Sequence, residues 1–165
     1  MVRFGFTGAE ALAHGLPPVD LALDGGGLMV RPLPGGRCYL SGSGPPGGPH
    51  GISLEPYAGT PSGPEALRAL AGARFAGPTY APGQAATIAL SGRSVQAFTC
   101  AVGAGHARAL HLLALIPARD GADAGVLLDY WCAAGAGAPL GPDGVLGLAR
   151  HGDTLRSLRV DFPPG

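Results

Sequence analysis

ATIALSGRSVQAFTCAVGAGHARALHLLALIPARDGADAGVLLDYWCA, residues 86 to 133, decides the fold. Ala86 to Ser91 alternates, with Ile88 and Leu90 on one side and Thr87 and Ser91 on the other. A residue period of two is the mark of a half-buried strand. Gly92-Arg93 makes a turn, and Ser94 to Val102 again alternates, placing Phe98, Cys100 and Val102 together. Gly103-Ala104-Gly105 turns the chain into Ala107 to Ile116, which becomes apolar on both faces toward its end. After the polar turn Arg119 to Gly125, Val126 to Ala133 sets Val126, Leu128, Tyr130 and Cys132 against Asp129 and Trp131. Four strands with such short connections predict an antiparallel meander of sequential neighbours.

Upstream, the pattern is more broken. Val2 to Phe6 is β-prone, and Thr7 to Glu10 reads as a capping box for a short helix ending near His14. Val19 to Leu23, Leu28 to Leu33 and Arg37 to Ser41 read as a second meander, followed by a strand over Ile52 to Tyr57. Ser62-Gly63-Pro64-Glu65 is another capping box, opening a helix over Pro64 to Arg74 with Leu67, Leu70 and Ala71 on one face. Downstream, Val145, Leu148, Leu155 and Leu158 recur at helical spacing, interrupted by Gly147 and Gly152, and predict one closing helix with a soft middle, or two short pieces, whose apolar stripe packs on the meander. The expected class is α+β: one domain over residues 1 to 165, an antiparallel sheet flanked by helices.

Composition narrows the function classes. Eleven Arg balance eleven acidic residues, Lys and Asn are absent, and the net charge is zero. Such a balance offers no basic face for nucleic acid and none for an anionic membrane. The missing Lys and Asn, both with AT-rich codons, point to a GC-rich bacterial genome. The longest apolar stretch, Leu110 to Ile116, is far short of the roughly 20 residues that span a bilayer. The first residues lack the apolar region of an export signal, so a cytoplasmic location and reduced thiols at Cys38, Cys100 and Cys132 are expected. Charged residues are 13% of the chain, against about 25% in a typical globular protein. Either a partner covers part of the surface, or Gly, Pro and Ala have replaced charged positions.

The strand start Leu90-Ser91-Gly92-Arg93-Ser94-Val95 and the helix end Thr154-Leu155-Arg156-Ser157-Leu158 bring a family into view. With the strands around them, over about residues 52 to 160, they resemble the PsbP-like fold, shared with a Ran-binding nuclear transport factor. The resemblance implies an antiparallel sheet with flanking helices, and an accessory or binding role without catalysis. It supplies no site residue.

Candidate chemistry is sparse. Cys100 with His106 or His111 suggests a nucleophilic pair, but Cys100 shares its face with Phe98 and Val102, as a small buried hydrophobe does. His106, His111 and a cysteine lack the close pairing of zinc ligands. No Gly-x-Ser-x-Gly elbow or phosphate loop is present, and Gly25 to Gly27 and Gly44 to Gly48 read as turns. The expectation is a non-enzymatic protein with no cofactor and no metal, a chaperone, immunity or assembly component that contacts a protein partner or its own copies. Trp131, Tyr130, Arg108 and His111 are its candidate binding residues. The alternative is a small-ligand carrier or hydrolase with a pocket between sheet and helix, holding Arg108, His111 and a carboxylate. Leu110 to Ile116 and Val126 to Leu128 carry no Arg, so either would invite another chain if it lay at a sheet edge.

Overall fold

Short turns at glycine set the architecture. Leu90 pairs with Arg93, closing a hairpin through Gly92, whose φ of 72° is left-handed backbone that favours glycine. The computed structural model describes residues 2–6, 19–23, 29–33, 37–42, 50–58, 63–90, 92–105, 108–118, 124–133 and 157–162. Its elements are β1 (Val2–Phe6), β2 (Val19–Leu23), β3 (Met29–Leu33), β4 (Arg37–Gly42), β5 (His50–Ala58), α1 (Pro64–Arg74), β6 (Ala81–Leu90), β7 (Arg93–Val102), β8 (Ala109–Pro117), β9 (Ala124–Ala133) and β10 (Arg159–Asp161).

Seven strands form one sheet in the order β3-β4-β5-β9-β8-β7-β6, every pair antiparallel. The meander β6 to β9 is therefore formed as expected. The architecture is a sheet-dominated α+β fold. Strand β9 closes it by pairing with β5 along nine residues, from His50 opposite Cys132 to Ala58 opposite Ala124. Gly125 lies opposite Pro117, where a Cβ would collide with the backbone of Ile116 and Pro117.

Several expectations need correction. β2 does not join β3 and β4; it pairs with β1 and β10 in a separate three-stranded sheet. The expected helix end at Leu158 and Arg159 is extended chain: Leu158 is buried and Arg159–Asp161 is a strand against β2. The rest of that expected helix, residues 145 to 156, lies outside the described residues, as does the helix expected after Thr7. α1 matches its expected range, with Gly63 as its N-cap; Ser62 of the expected capping box lies outside the described residues. β8 and β9 are both internal in the sheet, so neither offers an edge.

Strand alternation divides the core in two. On the inner face Ile52, Leu54, Leu110, Leu112, Ile116, Leu128 and Tyr130 pack with Leu158 and Val160. Val160 alone is buried in β10, between exposed Arg159 and Asp161, so β10 turns its one apolar side chain onto the large sheet. On the outer face Phe98, Cys100, Leu113, Leu115 and Leu127 pack with Leu67 and Ala71 of α1. Each such leucine, once buried, contributes about 1.5–3 kcal/mol. Covering on both sides explains why β8 reads as apolar throughout.

Candidate functional site

The charged residues of the outer face gather where α1 ends. Arg74 is its last residue, and the Phe75 N–H donates to the Ala71 carbonyl at 3.0 Å to finish the helix. From there Arg74 Nη1 donates to Glu55 Oε1 of β5 at 2.5 Å, and Arg74 Nε lies 3.6 Å from Asp129 Oδ2 of β9. His111 Nδ1 of β8 meets the other oxygen, Asp129 Oδ1, at 2.8 Å. The carboxylate accepts, so Nδ1 carries the proton, and a neutral ring then keeps its lone pair on Nε2. The Phe75 ring lies over His111, with centroids 4.4 Å apart.

Asp129 is the costly member of the group. It is 6% exposed, and burying a lone carboxylate is strongly unfavourable. Contacts to His111 and Arg74 offset that cost. Glu55 and Arg74 sit nearer the rim, where an ion pair contributes at most about 1 kcal/mol.

Cys100 stands opposite His111 in the β7–β8 register, which puts thiol and imidazole on one face. The thiol is buried, and burial followed by the negative charge of Asp129 pushes its pKa up to about 12. At neutral pH it is protonated, whereas a nucleophilic cysteine needs the thiolate. Cys132, on the inner face, is likewise free, buried and pushed up to about 11 by burial. Both thiols thus face the core, as the alternation predicts; the Cys38 side chain lies outside the described residues.

Of the four candidate binding residues, the fold brings two together. His111 and Trp131 are register partners on β8 and β9, both on the outer face and both partly buried. Tyr130 faces the other way and is fully buried in the inner core, where burial raises its hydroxyl pKa. Adjacent strand residues point to opposite faces, so Tyr130 packs in the core while Trp131 lies on the other side of the sheet. Arg108 is partly buried just before β8, its N–H donating to the Gly105 carbonyl at 3.4 Å. The cation beside the carboxylate is Arg74, not Arg108. Asp129, a charge in an otherwise apolar strand, was the signal for this cluster. Nothing local signals Arg74 or Glu55 as its partners.

No known family model matches the chain, and no curated protein matches it. Among the described residues no helix is long and apolar enough to cross a membrane.

Proposed function

We propose that this protein is a non-catalytic accessory or binding protein that works through protein–protein contacts. The observation that carries the reading is that, among the described residues, the seven-stranded sheet ends on β6, ten residues without a charged side chain. Edge strands are ordinarily protected by charge, because their free backbone groups accept another strand. The state of the outer-face cluster supports the same reading. His111, Asp129, Arg74 and Glu55 satisfy one another, and the neighbouring thiol is held protonated. The resemblance to PsbP-like proteins, largely accessory in role, points the same way.

Immobilised protein exposed to extract of its source organism tests the reading. The expected result is a partner, or further copies of the chain, retained in stoichiometric amount and lost when Thr87 and Ala89 of β6 become lysine. Retention of neither would contradict it.

A second reading, a small-ligand site beside His111, is favoured by the His111–Asp129 contact next to partly buried Trp131. Its test is the imidazole resonance of His111 during titration with small-molecule libraries. A saturable shift there, absent in His111→Gln, supports a ligand; an unmoved resonance leaves the protein-contact reading.

A further inference from the structure

Among the described residues the large sheet ends on β3 at one side and β6 at the other, and the two ends are built differently. β3 holds Pro32, which has no N–H to offer, and exposed Arg31. Both features discourage strand addition. β6 has neither protection along its second half.

The first half of β6 is closed by its own sheet. The ladder with β7 is interrupted between Pro82 and Ala85. At the interruption the Gln84 N–H donates to Thr99 Oγ1 at 3.1 Å, and the Thr99 hydroxyl donates back to the Gln84 carbonyl at 3.4 Å. Both backbone groups of Gln84 are thereby held inward by one buried threonine, and a bulge of this kind spoils an edge as a template.

The second half is different. Ala86 to Leu90 runs in unbroken register against Ala97 to Arg93. Its exposed side chains are Thr87 and Ala89, both small, while Ile88 and Leu90 are buried on the inner face. The cation nearest in sequence is Arg93, and it is committed elsewhere. Its Nη1 donates to the Pro117 carbonyl of β8 at 2.8 Å, and its guanidinium carbon lies 5.6 Å from the centre of the Phe162 ring. β8 is on the far side of β7 from β6, so this charge reaches away from the edge.

We propose that Ala86 to Leu90 pairs with the same segment of a second copy of this chain, antiparallel, about a two-fold axis. The proposal rests on the protein-contact reading and names the partner. A two-fold interface requires that residue i of one copy meet j of the other while j meets i, which antiparallel self-pairing provides. A neutral segment meeting itself places no like charges opposite one another. The same neutrality gives a charged peptide no counter-charge. Small residues on the exposed side let the backbones reach hydrogen-bonding distance, and the inner-face row of Ile88 and Leu90 continues into the partner sheet.

Sedimentation equilibrium from low to high micromolar concentration tests this on the full chain, the Thr87→Lys/Ala89→Lys double variant, Ala89→Ser, and Met29→Lys on the opposite edge. The full chain should dimerise. The double variant, which sets lysine against lysine, should weaken dimerisation at least about tenfold, with an unchanged circular dichroism spectrum. Ala89→Ser and Met29→Lys should dimerise like the parent. A dimer indifferent to the lysines overturns the β6 assignment and leaves the protein-contact reading standing. A parent chain monomeric at every concentration overturns self-pairing, and the wider reading then falls only if the immobilised protein also retains no partner.

Discussion

The two faces of the large sheet are made from the same strands, yet they are different surfaces. The inner face buries leucine, isoleucine, alanine and Tyr130 with Leu158 and Val160 at β10. The outer face alternates with it residue by residue and holds Glu55, Cys100, His111, Asp129 and Trp131 beside the leucines under α1. The difference teaches where chemistry-bearing side chains are tolerated. The inner face carries Arg93, over the Phe162 ring, at the start of β7, whereas the face covered by one helix has a boundary where the helix stops. Asp129 and His111 sit at that boundary, and Arg74, the last residue of the helix, reaches them.

The comparison breaks most readily at its leucines. Leu112 and Leu113 are neighbours on β8, both fully buried, one on each face. Truncating either to alanine is expected to cost about 3 kcal/mol in urea unfolding. A much smaller loss for Leu113→Ala would mean that the α1 side is not a packed core.

Asp129→Ala sharpens the contrast within the outer face. It removes the carboxylate and leaves the partly buried imidazole without its acceptor, while Arg74 keeps Glu55, an expected loss of about 2 kcal/mol by the same measurement. Asp129→Asn, which keeps an acceptor oxygen, should lose less.

Alkaline pH examines both faces at once, since each carries a buried thiol. An unfolded thiol titrates near its ordinary value of 9.0, whereas burial pushes Cys132 up to about 11 and Cys100 up to about 12. The folded state therefore holds protons that the unfolded chain has released. The stability from these thiols is full below pH 9 and is lost as pH climbs through 9 toward 11 to 12. Urea midpoints measured across that range should fall, and Cys100→Ala and Cys132→Ala should each flatten the decline.

The smallest effect belongs to the rim. Arg74→Ala is expected to cost less than about 1 kcal/mol, because Arg74 and Glu55 are partly solvated. A loss as large as that of Asp129→Ala would show that the helix end depends on this ion pair.

How far the sequence discloses these surfaces follows from the range of the contacts involved. The strands β6 to β9 are legible because alternation is local, and so is the division of Tyr130 from Trp131. The small sheet is illegible because β10 has three residues and finds its partner β2 far back in the chain. The helical spacing of Leu155 and Leu158 competes with it, and burial of Leu158 and Val160 by the large sheet decides the outcome at that end. His111 was legible as a candidate. Its ring neighbour Phe75, and the Arg74 that pairs with its partner Asp129, arrive at the end of a helix whose placement no local pattern announces. The uncharged runs of β8 and β9 suggest an edge there, but β5 closes the far side of β9, and among the described residues the sheet ends on β6.

Hydrogen exchange read by mass spectrometry at two protein concentrations tests the central claim most directly. If the uncharged half of β6 is where copies meet, peptides covering Ala86 to Leu90 should exchange more slowly at high concentration than at low, while peptides covering β3 exchange equally at both. Concentration-independent exchange along β6, or new protection at β3 instead, would contradict the account.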